Sequence, residues 1–374
     1  MIPIFILIVI IVTCIYLYYK ISSDYWYFQH VFHIYDIKYY FMPNGTIISN
    51  NLLQINKYCN SMNIKTYILS DIDDNMLDDI MDFYVNNWMC QRNYRPSKDT
   101  FLSYFQATPK ESVFSIYYND NNIIAIITSI PLNLTVNNIK YTVRYADNLC
   151  VIYDERNKGY AAQIIETHIY DLEKMTNNII ISFFEKFYKF SIVNPSCIFD
   201  VYQNMIEHII PESNDSYYIN IIKCDKTNIT YLYDYIYKNN KFDVFIFQDI
   251  NSLLSLIEME TFYVYYTKIN DIISSVYFFR RSSLYTDDSS MMEALYLIGS
   301  INYSNDTYIF IEGFKSALKK IYDINNNYFM LTIKNISDNN IIINKNMTFI
   351  TTNAYYFKNI IIHNTNPNKF FCLN

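Results

Sequence analysis

Gly159 is one of only four glycines in 374 residues, and it stands where a strand-forming run gives way to a helical pattern. Asn148-Leu149-Cys150-Val151 reads as a strand end, Tyr153-Asp154-Glu155 as a turn, and Arg156-Asn157-Lys158-Gly159-Tyr160-Ala161 as the opening of a helix over 162–175. A tight turn frees backbone N–H groups, the positive end of a helix stands behind them, and Arg156 and Lys158 add charge. Those are the parts of a phosphate cradle. A plain strand-to-helix turn with a helix-initiating glycine is the alternative that this motif alone leaves open.

Other chemistry-bearing residues read less sharply. His30 and His33 form an HxxH with no carboxylate or cysteine placed to complete a ligand set, so aromatic packing is the expectation and no metal is assigned. Cys150 has no histidine at a motif position and reads as core. Asp73-Asp74 and Asp78-Asp79 load the first turns of a helix, where they favour its dipole. Arg280-Arg281 end a strand and read as a solvated edge.

Positioning those residues requires a packed protein, and 51% hydrophobic content supplies it. A net charge of −7 argues against nucleic acid as the main partner. The excess of Asn and Ile is what AT-rich coding produces, as in a large DNA virus. Seven scattered cysteines without CxxC read as reduced thiols. Strands are expected over 66–70, 112–118, 123–130 and 141–151, with helices over 72–86 and 160–175. The second half repeats the order: a hairpin over 262–268 and 272–279, a strand over 294–301, a helix over 310–322, then strands over 328–333, 347–351 and 355–362. A break is expected over 211–217.

The first twenty residues differ from the rest. Ile2 to Tyr19 carry no charge before Lys20. As a helix they reach about 27 Å, against a hydrocarbon core of about 30 Å. Tyr16, Tyr18 and Tyr19 suit a membrane interface and crowd the place where a signal peptidase would cut. An uncleaved single-pass anchor over residues 2–19 is the expectation, with Lys20 and Lys38 placing the body on the cytoplasmic side; a virion membrane would serve equally. Eight Asn-x-Ser/Thr sequons carry little weight at this Asn frequency.

Arg-x-x-Gly-x-Ala after a strand resembles the pyrophosphate loop of acyl-CoA-dependent N-acyltransferases. From about residue 25 to 374 the chain as a whole resembles the N-myristoyltransferases. Tyr25-Trp26-Tyr27-Phe28-Gln29-His30-Val31 is similar to that family's Phe-Trp-x-x-Gln-Pro-Val segment. Tyr84-Val85, Asn93-Tyr94-Arg95-Pro96 and Phe101-Leu102 look like the helix and loop over its peptide groove. Ile127 to Asn133 resembles a strand followed by a Pro-x-Asn turn, and Asn148 to Ala161 aligns without a gap. Ala294-Leu295-Tyr296, Ser316-Ala317-Leu318 and Tyr355 to Asn359 follow at the family's separations. Departures fall on the peptide side: Asn86-Asn87-Trp88-Met89 replaces an acidic run, Ile198-Phe199-Asp200-Val201 an Arg-Tyr-Trp-His stretch, and Phe349-Ile350-Thr351 a Gly-Asp-Gly loop.

The resemblance implies an α+β fold of two tandem acyl-CoA N-acyltransferase (GNAT-like) halves behind a transmembrane helix. Residues 1–20 would be the anchor, 21–212 the acyl-CoA half and 213–374 the peptide half. It implies transfer of a long-chain acyl group, myristoyl in the family, from CoA as co-substrate to the N-terminal glycine of a protein or peptide. Trp26, Arg156, Asn157, Lys158, Gly159, Tyr160 and Ala161 would hold the CoA. The backbone N–H groups of Asn148 and Leu149 would form the oxyanion hole, and the α-carboxylate of Asn374 would be the base. A catalytically silent relative, kept as a membrane-bound binding or structural protein, is the competing expectation.

Overall fold

Alternation of β-branched and aromatic residues with polar ones builds long strands here, and helices cover them where the apolar period lengthens. The computed structural model describes residues 2–22, 25–88, 98–120, 122–187, 192–210, 220–285, 292–304 and 306–374, apart from the side chains of 2–5, 8, 16, 19–22, 100 and 283–285. The elements run α1 (Ile2–Ser22), β1 (Ile64–Ile68), α2 (Asp74–Asn87), α3 (Lys98–Gln106), β2 (Val113–Asn119), β3 (Asn122–Val136), β4 (Ile139–Val151), α4 (Tyr160–Thr176) and β5 (Ser182–Phe187). There follow β6 (Cys197–Met205), β7 (Ile221–Lys223), α5 (Ile229–Lys238), β8 (Val244–Phe247) and α6 (Ile250–Glu258). The chain ends with β9 (Phe262–Ile269), β10 (Ile272–Tyr285), β11 (Glu293–Asn302), α7 (Thr307–Ile324), β12 (Tyr328–Lys334), β13 (Thr348–Lys358) and β14 (Phe370–Cys372).

Among the described residues the strands form one sheet in the order β1-β2-β3-β4-β5-β13-β6-β12-β11-β10-β9-β7, with β8 joining β3 to β14. One unit occurs twice. β2, β3 and β4 are an antiparallel meander, and α4 carries the chain across to β5, parallel to β4. β9, β10 and β11 repeat the meander, and α7 carries the chain to β12, parallel to β11. Between the units, β13 lies between β5 and β6 and pairs antiparallel with both.

The tail closes the molecule. β14 pairs parallel with β8, Phe370 and Cys372 enter the core of the first unit, and Phe371 and Leu373 enter that of the second. Phe371 lies 3.0 Å from where a Cβ on Gly299 would stand, which is why that position on β11 has no side chain.

Several expectations need correction. No turn follows Pro131: β3 runs through it, with Pro131 opposite Arg144. Residues 130–132 lie where β3 has left β2 and not yet met β8, an edge-like stretch that accepts a proline. The strands expected over 347–351 and 355–362 are one strand, β13, because Thr352 to Ala354 keep their pairing with β6. The loop 93–96 and the break over 211–217 lie outside the described residues. The N-terminal helix forms as expected, with Ile6, Leu7, Val9, Ile10, Ile11, Val12, Ile15 and Leu17 exposed. Among the described residues, no helix is long and apolar enough to cross a membrane.

Candidate active site

The β4–α4 connection carries two adjacent devices. The first is a β-bulge. Ile126 pairs with Cys150 and Thr128 with Asp147, so Asn148 and Leu149 together oppose Ile127 alone. Asn148 takes a left-handed φ of 54°, which turns the backbone out of the ladder. Three hydrogen bonds pin the bulge: Tyr84 Oη donates to the Asn148 carbonyl (2.7 Å), Thr128 Oγ1 to the Asp147 carbonyl (3.1 Å), and Asn148 Nδ2 to Thr128 Oγ1 (3.1 Å). Leu149 is exposed beside it, while Cys150 is buried in the core as expected.

The second device is the helix start. Asn157 and Gly159 both have positive φ, 64° and 88°, so the chain doubles back twice before α4. No side chain caps α4, and the first intrahelical N–H bond comes from Gln163 to the Gly159 carbonyl (3.2 Å). The N–H groups of Tyr160, Ala161 and Ala162 therefore stand at the positive end of a 17-residue helix. Gly159 is exposed, and a Cβ there would meet nothing within 4 Å. Lys158 pairs with Glu155 (3.0 Å) at the surface. Arg156 is tied by its guanidinium to the carbonyls of Val151 (3.1 Å) and Asn87 (3.2 Å), over the Tyr153 ring.

The segment carrying Trp26 lies against the same helix further along. Trp26 stacks on Phe184 (5.4 Å between centroids), and Tyr25 Oη donates to Glu166 Oε2 (3.2 Å) on the second turn of α4. His33 bonds Asp36 and the Trp26 carbonyl and stacks on Tyr35, so the HxxH is packing. A cavity of about 340 Å³ opens here, lined by Phe28, Gln29, His30, Leu52, Asn56 and Glu166 among others. Lys358 lies buried 3.5 Å from Glu166, and burial, opposed by that carboxylate, holds its ammonium pKa below the usual lysine value.

On the other side of the bulge four charged groups converge from both units. Burial pushes the Asp147 carboxyl above its usual range, against the pull of Arg280 and the Asn148 N–H; Glu185 and Lys334 also act on it. Arg280 lies over the Tyr104 ring (5.1 Å), and Arg281 pairs with Glu293 (3.0 Å). The solvated edge expected at Arg280-Arg281 is thus overturned: β10 runs on to Tyr285, and both arginines lie within it, paired with β11 and held by Tyr104 and Glu293. Lys334 bonds Glu185 (2.7 Å) and Tyr355 Oη (3.1 Å). It also reaches Asn374 Oδ1 (3.4 Å), which accepts from Tyr355 Oη as well (3.2 Å). Asn374 is 1% exposed, and its Nδ2 is buried without a hydrogen-bond partner. The last residue thus belongs to the same charged cluster as Asp147, next to the bulge. Sequence reading misses Asp147, Glu185, Arg280 and Lys334 as a group, since they lie on four strands far apart in the chain.

No protein-family model matches the sequence, and no curated protein matches it either. Its fold, however, is similar to that of solved N-myristoyltransferases. Saccharomyces cerevisiae N-myristoyltransferase with bound myristoyl-CoA superposes at a TM-score of 0.70 and 12% identity, covering 92% of this chain and 89% of that one. The same yeast enzyme with bound myristoyl-CoA and inhibitors gives 0.71 and 12%, covering 93% and 92%. The chain therefore has the N-myristoyltransferase fold, a mixed α+β fold with a large sheet.

Proposed function

We propose that the protein is an N-acyltransferase that moves a long-chain acyl group, myristoyl, from CoA to the N-terminal glycine of a protein or peptide. What carries the reading is a single strand–turn–helix unit that holds both a bulge with outward-turned backbone and an uncapped helix start flanked by Arg156 and Lys158. The yeast enzymes of the same fold were crystallised with myristoyl-CoA, which supports acyl-CoA as the co-substrate here.

In this reading the N–H groups of Tyr160, Ala161 and Ala162 and the turn of Asn157 and Gly159 hold the pyrophosphate. Lys158 exchanges Glu155 for phosphate, and the Trp26 segment covers the ligand. The acyl carbonyl lies at the bulge, where the N–H groups of Asn148 and Leu149 stabilise the tetrahedral oxyanion; one such donor is worth about 2.7–4 kcal/mol. The α-carboxylate of Asn374 takes the proton from the attacking amine. Residues 2–19 tether the body to a membrane.

A second reading, a non-catalytic acyl-CoA-binding protein, is favoured by one observation: the Asn148 N–H donates to the Asp147 carboxylate (2.8 Å). Titrating the full chain in detergent with myristoyl-CoA, then assaying transfer to Gly-starting peptides, separates the two. Binding with transfer supports the enzyme and binding alone supports the second reading. Absence of binding eliminates both.

A further inference from the structure

The bulge has an unusual neighbour. Asp147 Oδ1 accepts the N–H of Asn148 at 2.8 Å, so an anion sits on one of the two donors that an oxyanion would need. Among the described residues the carboxylate makes no short ion pair that would hold it there. Lys334 is already bound to Glu185 at 2.7 Å, and Arg280 lies over the Tyr104 ring. Two carboxylate-type charges cannot share one N–H, and in a water-poor site their repulsion is strong. The backbone there is pinned at the Asp147 and Asn148 carbonyls by Thr128 and Tyr84. The partner free to move is therefore the Asp147 side chain, on which Arg280, Glu185 and Lys334 already act from the junction of the two units.

We propose that Asp147 gates the oxyanion hole: its carboxylate holds the Asn148 N–H until an incoming ammonium draws it away, so the hole opens only beside an acceptor amine. The gate rests on the acyl-transfer reading and adds acceptor selectivity to it. A cationic α-amine offers Asp147 a charged partner in place of a neutral one, and charge-assisted hydrogen bonds are about twice as strong. Water offers no such exchange. Bound thioester is thereby protected from hydrolysis, in which water adds to the carbonyl carbon, the C–S bond breaks, and the leaving thiolate takes up the proton. Burial raises the Asp147 pKa, which eases removal of its charge from the hole.

The test uses the full chain with myristoyl-CoA carrying a ¹³C thioester carbonyl, read by difference infrared spectroscopy, in the wild type, Asp147→Leu and Asp147→Ala, neither of which leaves an acceptor on the Asn148 N–H. Each protein is first shown to bind the thioester, which also checks its folding; should the alanine variant fail, the leucine variant, of nearly the same shape as aspartate, decides. Without acceptor, the carbonyl band is expected at lower wavenumber in both variants than in the wild type, because the freed donor polarises it. Adding a Gly-starting peptide should bring the wild-type band to the variants' position. Acceptor-independent hydrolysis should rise at least about tenfold in the variants, a fraction of the 10²–10³ that one oxyanion donor commands. Coincident bands in three proteins that all bind the thioester would overturn the gate alone. So would slower transfer by Asp147→Leu with no gain in hydrolysis, which would make the carboxylate an aid to attack. A wild type that binds no myristoyl-CoA takes down the acyl-transfer reading and the gate together.

Discussion

Two helices of this protein stand at equivalent points of a repeated unit, and their N-termini are finished in opposite ways. α4 follows β4 through a glycine at φ 88° and has no side-chain cap. α7 follows β11, and its N-cap Asp306 accepts the N–H groups of Tyr308 (2.9 Å) and Ile309 (3.1 Å) with its own carboxylate. One helix start has no side-chain acceptor on its free N–H groups, and the other supplies a carboxylate of its own. The bulges differ in the same way. Opposite β10, Phe278 pairs with Gly299 and Phe279 with Leu297, leaving Ile298 as the extra residue, 1% exposed and in the core. At the first bulge Leu149 is 37% exposed. The buried faces continue the contrast. α7 buries Phe310, Gly313, Phe314, Ala317, Leu318 and Ile321, whereas α4 also buries Glu166, Thr167, His168 and Glu173. A duplicated frame thus keeps buried polar groups on the helix of one copy and purely apolar packing on that of the other.

The contrast can be broken most forcefully at the proposed base and the open helix start. Converting the Asn374 α-carboxylate to an amide by semisynthesis should reduce transfer on the order of 10²–10⁴-fold while acyl-CoA affinity persists. That change is cleaner than deleting Leu373 and Asn374, because both are buried and deletion removes core contacts as well. An amidated protein with full turnover would exclude the terminal base.

Reversing both cations, Arg156→Glu with Lys158→Glu, should weaken acyl-CoA binding by roughly 100-fold or more, since charged hydrogen bonds to phosphate are each worth about 1.5–3 kcal/mol. The loss should shrink as salt rises, and calorimetry at two ionic strengths measures it. Affinity unchanged in the folded double variant would mean that the open start of α4 is not a phosphate site.

Acid should act through the polar face of α4. Burial, with Arg144 nearby, lowers the His168 pKa to about 3, and its ring bonds Ser115 (2.7 Å) and Ser129 (2.9 Å). Its unfolded value is near 6.5, so the stability it contributes is complete above that pH and is lost as pH falls towards 3. The slope is up to about 1.4 kcal/mol per pH unit. Denaturation midpoints between pH 7 and 4.5 should show it, and His168→Gln should flatten the curve.

The two glycines sharpen the comparison. Gly313→Ala in α7 would set a Cβ 2.6 Å from Tyr277 Oη and 3.0 Å from Thr267 Cγ2, an overpacking cost of about 1–3 kcal/mol. Gly159→Ala meets no atom, so its cost is backbone strain alone, about 1–2 kcal/mol; it should lower acyl-CoA affinity, which Gly313→Ala should leave intact. Smallest of all, Asp306→Ala should cost about 1 kcal/mol of stability without affecting acyl-CoA binding. A loss of affinity there would erase the division of labour between the two helix starts.

What the sequence determined by itself is mostly local. Hairpins around 119–122 and 269–271, the helix starting at Tyr160 and the exceptional position of Gly159 follow from period, turn residues and the scarcity of glycine. The acidic start of α2 was legible but its cap was not: the helix expected from residue 72 begins at Asp74, and Asp73 is the N-cap, accepting from the Met76 N–H (2.8 Å). Short or irregular elements were not: α3, α5 and α6 and strands β5 to β8 have too little period to stand out. Only the tertiary structure decided that β3 passes through Pro131, that β13 inserts between β5 and β6, and that Arg280 faces inward. Asp147, Glu185, Arg280 and Lys334 sit on β4, β5, β10 and β12, and nothing in the spacing of those strands along the chain tells which will meet. Sheet pairing joins residues by register across long separations, and that register is fixed by burial summed over the whole core, so no local window of sequence contains it.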